Sequence, residues 1–224
     1  MAETDPVPTI TGFGNVPAFA KGMVRDLRIR WALEEVGRPY RMDLLDAMAP
    51  RPEGYRAWQP FGQVPAFDDG QVRMFETGAI LLYLAEREER LLPADPQTRW
   101  QAVSWLIAAL NSVEPALTQV VILDFFHKGK DWAAAAREGA IAFAAMRLRD
   151  VSEALGEREW LAGPFSIADI MMVTVLRCVN HTDLLQQFPN LVAYRERGEA
   201  RPAFVQALAD QMAGFAAETE GEDA

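Results

Sequence analysis

One cysteine, Cys178, and two histidines, His127 and His181, are all that this chain of 224 residues has of the side chains that most often exchange disulfides or bind transition metals. A single cysteine excludes an intrachain disulfide and any Cys-x-x-Cys redox or zinc pair. Two histidines are too few for a histidine metal cluster, so no metal site is expected. Positive charge is also scarce: 22 Lys and Arg face 32 Asp and Glu, a formal net charge of −10. No basic stripe survives a count along the chain, which argues against a nucleic-acid partner. No apolar run approaches the roughly 18 residues of a membrane span, so no membrane role is expected. The start, MAETDPVPTI, lacks the basic-then-apolar order of a secretory leader. The expectation is a soluble, cytoplasmic protein.

The chain is 50% hydrophobic, enough for one large core or two modest ones. Residues 1–90 carry 11 basic and 14 acidic side chains, and the remainder 11 and 18. Four of those acids lie between Glu218 and Asp223, which reads as a solvated, frayed tail.

The two halves differ in pattern. Residues 8–13 read as a short strand rich in β-branched side chains. Residues 22–37 place Val24, Leu27 and Trp31 at helical spacing and stop at Gly37. A strand at 39–45, a short helix near 53–58, strands at 64–68 and 71–75 about an Asp68-Asp69-Gly70 turn, and a helix from 76 to 88 follow. The order is βαβαββα. After RLLPADPQT (90–98), with its two prolines, strand signals disappear. Amphipathic helices are expected at 97–127, 130–155, 166–180 and 201–215, with a short one at 189–196, and a kink at Pro115. The reading is an α/β domain over 1–88 and an all-helical domain over 96–224.

Within FGQVPAFDDGQVRMFETGAI (61–80) a proline sits in an extended run where a central strand would reject it, since proline has no N–H for the ladder. A cis Val64–Pro65 bond there would turn the N–H and C=O of Val64 out of the sheet, a dock for another extended backbone. The helix start at Glu76-Thr77-Gly78 adds free N–H groups and a positive dipole end, suited to a carboxylate. Together they describe a receptor for a short acidic peptide. Thr77 also reads simply as a helix cap and Arg51 as a solvated surface charge.

QPFGQVPAFDDGQVRMFETGAILLYLAE resembles the glutathione-binding segment of glutathione S-transferases. VRDLRIRWALEEVGRPYRMDLLD is similar to the first helix and second strand of that family, and WLAGPFSIADIMMV to its buried capping motif. The resemblance implies a thioredoxin-like N-terminal domain that binds glutathione and a helical-bundle C-terminal domain that shapes the pocket of a small hydrophobic electrophile. It implies that Val64, beside Pro65, pairs its backbone with the cysteinyl unit. Thr77 would take the γ-glutamyl carboxylate, with Glu76 near the ammonium, Gln63 giving a side-chain contact and Arg51 meeting the glycyl carboxylate. Trp105, Ala108 and Ser112 would line the electrophile pocket. A homodimer is implied too.

The sequence departs from that family at one place. From Gly12 to Asp26 there is no Tyr, Ser or Cys to activate the thiol. The catalytic position falls on Phe19, a pocket residue at most, or near Met23, and neither donates a hydrogen bond to sulfur. Asn15 is the first candidate donor, with Lys21, Arg25 and the helix-start N–H groups near Gly22 as others. An enzyme that transfers glutathione or uses it to reduce a peroxide is one reading. A glutathione or ligand carrier of the same fold is the other. GPFSIAD (163–169) reads as a capping box of Ser166 and Asp169, and Cys178 as an inert core residue.

Overall fold

The computed structural model describes residues 6–219, and side chains through residue 215. The acids of the expected tail, Glu218 to Asp223, lie outside the described side chains. The chain forms two compact units, Met1–Glu88 with Arg201–Ala224, and Glu89–Ala200.

The first unit follows the expected order: β1 (Thr9–Asn15), α1 (Asp26–Val36), β2 (Arg41–Asp46), α2 (Tyr55–Trp58), β3 (Ala66–Asp68), β4 (Arg73–Phe75) and α3 (Thr77–Arg87). The sheet runs β2-β1-β3-β4, with β1 parallel to β2 and antiparallel to β3. A parallel β1–β2 pair requires a crossover, which α1 supplies. Gly12 leaves room for two side chains: a Cβ there would lie 2.9 Å from Met42 Cε and 3.1 Å from Asp26 Oδ2, so either would have to shift.

The helix expected over 22–37 begins at Asp26, because Ala18–Ala20 forms a 3-10 turn and Gly22 takes a positive φ of 75°. It stops where expected, with Gly37 left-handed. The final helix, α9 (Pro202–Thr219), packs in this unit, not with the helices its pattern grouped it with. It lies along α1 through an edge-on contact of Trp31 and Phe204 at 4.9 Å and an Arg201–Glu35 pair at 2.6 and 2.7 Å. The buried Gln211 amide donates to Val24 O and to Asp26 Oδ1, at 3.0 and 2.8 Å.

The second unit holds α4 (Pro96–Ala108), α5 (Glu114–Val121), α6 (Asp131–Leu155), α7 (Ile167–Leu176) and α8 (Pro189–Glu199). At Pro115 the missing N–H is absorbed by a π-helical segment, Ala109–Val113, so the helix continues on a wider turn. A second π segment, Ile122–Phe126, ends the run. The absence of any span-length apolar run does not hold here: Pro96–Phe126 is long and apolar enough to cross a membrane, with 44% of its apolar window buried. Gln101, Ser104 and Asn111 interrupt the apolar letters without lowering the average far, and one side of the helix packs on α7. The Ser166–Asp169 capping box is present at the start of α7.

Candidate functional site

The site expected from the sequence is built at the ends of β1 and β3 and the start of α3. The Val64–Pro65 bond is cis. Pairing of β3 with β1 begins at Phe67, leaving Val64 outside the ladder. Among the described residues its N–H and C=O have no hydrogen-bond partner. Its side chain packs with Leu45 and Tyr55, against Phe13, Val24 and Trp58.

A buried hydroxyl relay holds this edge in place, and no local pattern in the sequence points to it. The Ala66 N–H donates to Thr11 Oγ1 at 2.7 Å, and Thr11 meets the Tyr55 hydroxyl at 2.9 Å. Tyr55 lies 2.7 Å from the Gln63 carbonyl, which can only accept. Tyr55 therefore donates to Gln63 O, and Thr11 donates to Tyr55. Burial pushes the Tyr55 hydroxyl up from its ordinary value, which keeps it a donor. The residues on both sides of the cis bond are thus tied to β1 and α2, while the Gln63 side chain stays exposed.

Arg51 lies beside this edge. Its Nε donates to Gly62 O at 2.8 Å, its Nη1 to Asp46 O at 2.7 Å, and its guanidinium sits 4.8 Å from the Phe13 ring centre. It is not a solvated surface charge: it closes the loop between β2 and β3. Its Nη2 has no partner among the described residues.

Asn15 is the last residue of β1, not a loop residue, because the strand runs two residues beyond the end expected at residue 13. Its Oδ1 accepts from Ala47 N at 2.8 Å. The Met48 N–H and the Asn15 amide hold the exposed Asp46 carboxyl below its ordinary value. Asn15 and Arg51 therefore meet at Asp46, on one side of the edge.

The helix start differs from the sequence expectation in one detail. Glu76, not Thr77, is the cap position of α3, and no side chain caps it. The first N–H groups of an uncapped helix are free to meet an anion. Glu76 is exposed and holds φ 75°, ψ 118°, a conformation that costs a non-glycine residue about 1–3 kcal/mol and clusters at ligand sites. Thr77 is buried, and Arg28 donates to its Oγ1 at 3.3 Å.

The residues expected to line an electrophile pocket are described each in its own unit. Phe19 is 37% exposed, on the 3-10 turn. Trp105 packs against Ala102, Ala162 and Ala168, Ala108 is half-buried, and Ser112 is exposed in the first π segment.

Comparison with known proteins gives two family matches. Residues 15–86 match the model described as the glutathione S-transferase N-terminal domain, and residues 124–211 the one described as the C-terminal domain. The disulfide-bond oxidoreductase YfcG of Escherichia coli is 30% identical over 199 residues, covering 84% of this chain and 91% of that protein. Glutathione S-transferase F14 of Arabidopsis thaliana is 30% identical over 163 residues, covering 66% of this chain, and the match spans 64% of the length of that relative. A solved glutathione transferase from Burkholderia graminis, with two glutathione molecules bound per subunit, superposes with a TM-score of 0.79 at 25% identity over 93% of this chain and 89% of that one.

Proposed function

We propose that this chain, which belongs to the glutathione S-transferase family, binds glutathione along the Val64 edge and uses its thiolate on a small hydrophobic electrophile. The observation that carries this reading is the pairing of an unladdered Val64 backbone with an uncapped α3 start behind a strained Glu76. An extended tripeptide can add main-chain hydrogen bonds to the first and place a carboxylate on the second. In this reading Thr77 and the α3 N–H groups hold the γ-glutamyl carboxylate, Glu76 the ammonium, Gln63 a side-chain contact, and Arg51 Nη2 the glycyl carboxylate. The setting is cytoplasmic and the role detoxification.

A second reading follows from the missing hydroxyl and from YfcG: glutathione-dependent reduction of a disulfide or peroxide. The chain's own Cys178 is single, so both electrons would come from two glutathione molecules, which leave as glutathione disulfide.

The thiol must be ionised in either case. A free thiol near pKa 8.5 is only a few per cent thiolate at pH 7. Asn15 is the proposed donor, with the backbone N–H groups preceding α1. A glutathione titration followed by thiolate absorbance against pH tests the scheme. The bound thiol is expected below the free value, and Asn15→Ala should raise it by about one unit, roughly 1.4 kcal/mol for one lost donor. Bound glutathione with an unshifted thiol would leave the carrier reading in place. A depressed value indifferent to Asn15→Ala would move the role to backbone amides, Lys21 or Arg25.

We also propose a homodimer, since closed two-fold pairs are the commonest assembly of soluble chains. Light scattering should give a mass near twice the 25.0 kDa of one chain, and a concentration-independent mass near 25.0 kDa would refute it.

A further inference from the structure

The second unit contains a cavity of about 580 Å³ that the glutathione reading does not use. That volume falls in the range of small-molecule sites. Its walls come from the π segment Ile122–Phe126, the turn Lys128–Lys130, the first two turns of α6, and His181. A π turn is wider than an α turn and recurs at functional sites. Here it contributes Leu123, Asp124 and Phe125 in succession.

The polar side of the cavity is ordered. Asp124 accepts from Arg137 through both carboxylate oxygens, with Nη2 to Oδ2 at 3.0 Å. His181 Nε2 lies 2.9 Å from the same Oδ2, and the Phe125 ring lies 4.8 Å from the imidazole. Hydrogen bonds from Arg137, opposed by burial and helped by His181, hold the Asp124 carboxyl below its ordinary value. The carboxylate is therefore consumed in fixing Arg137 and His181.

The remaining polar groups are in excess on the donor side. Arg137 keeps Nη1, and the Lys128 and Lys130 ammonium groups have no partner among the described residues. Three cations face two carboxylates, Asp124 and Asp131, in a chain whose net charge is −10. A cleft of positive sign on an acidic surface concentrates anions. The opposite wall is apolar, formed by Leu123, Phe125, Ala133 and Ala134.

We propose that this cavity is a binding site for a small aromatic carboxylate, independent of glutathione. The carboxylate meets Arg137 Nη1 with Lys128 and Lys130, and the ring lies against Phe125 and the alanines of α6. Guanidinium and carboxylate match in geometry, and an aromatic body suits the Phe125 face.

The test is calorimetric titration of 2-naphthoate into the full chain, with S-hexylglutathione present at saturation and 2-methylnaphthalene as the neutral control. One saturable site per chain is expected. The surface variant Lys128→Ala/Lys130→Ala should weaken it at least tenfold with glutathione affinity unchanged. Ala134→Trp, which fills the cavity from an exposed helix position, should abolish it. Displacement by S-hexylglutathione, equal binding of the neutral analogue, unchanged affinity in both variants, or no saturable binding would each overturn the proposal. The proposed glutathione site is read separately by its own titration, so either can fail alone.

Discussion

Asp169→Asn is expected to lower the stability of the second unit by about 4 kcal/mol. Asp169 is 0% exposed and accepts four hydrogen bonds: Leu161 N at 3.0 Å, Tyr194 OH at 2.8 Å, Ser166 N at 2.9 Å and Ser166 Oγ at 3.2 Å. Burial pushes its carboxyl up from the ordinary value, and these four donors work against that push. The amide keeps the shape but turns one acceptor into a donor, facing donors in a site closed to water. Each buried donor left unmet costs about 1–3 kcal/mol. For a chain of this size that corresponds to a fall in Tm of roughly 10 °C. Ser166→Ala removes the hydroxyl and keeps the backbone N–H bond, so it should cost only about 1 kcal/mol. Thermal unfolding by circular dichroism checks both, and a Tm within 2 °C of wild type in Asp169→Asn would show that the network is dispensable.

Glu76→Ala and Thr77→Ala are each expected to weaken glutathione binding at least tenfold. Each would lose a charge-assisted hydrogen bond worth roughly 1.5–3 kcal/mol, and tenfold corresponds to about 1.4 kcal/mol. The two should differ in a second respect. Glu76 is exposed, so its loss should leave stability nearly unchanged. Thr77 is buried and receives Arg28, itself 3% exposed, so its loss should also destabilise the first unit. Thr77→Ser keeps Oγ and should restore both properties. Calorimetric titration alongside thermal unfolding separates the effects. Unchanged affinity in both alanine variants would mean that the α3 start is only a helix end.

The features legible in the sequence are the local ones. The Val64–Pro65 edge, the Glu76-Thr77 helix start, the Gly37 stop and the Ser166–Asp169 box each involve residues within about four positions, where turn and cap chemistry decides. Even there the boundary residue escapes: a helix cap is one of the two readings of Thr77, and Glu76 takes that place by adopting a positive φ that no propensity favours for glutamate. Asp69 shows the next limit. It read as a turn residue, and it is one, through Gln71 N and Val72 N. It is also 1% exposed and receives the Tyr83 hydroxyl and Arg87 from α3, both at 2.7 Å, pairings that no turn rule contains. Burial pushes its carboxyl up, and these donors outweigh that to hold it below the ordinary value.

The sequence by itself determined the order of strands and helices, the βαβαββα first half, the Val64–Pro65 edge and the helix start, because periodicity and proline and glycine chemistry act over a few residues. Tertiary structure alone decided which partners those elements acquire. Thr11, Tyr55 and Gln63 became one relay across 44 and 8 positions, and Gln211 reached Asp26 across 185. The amphipathic stripe of α9 states that the helix must bury one face, yet any apolar surface would satisfy it. That it lies on α1 and β1 of the first unit was settled by complementary contacts: Phe204 on Trp31, Arg201 on Glu35, and a glutamine amide meeting a carboxylate and a carbonyl otherwise buried beside it.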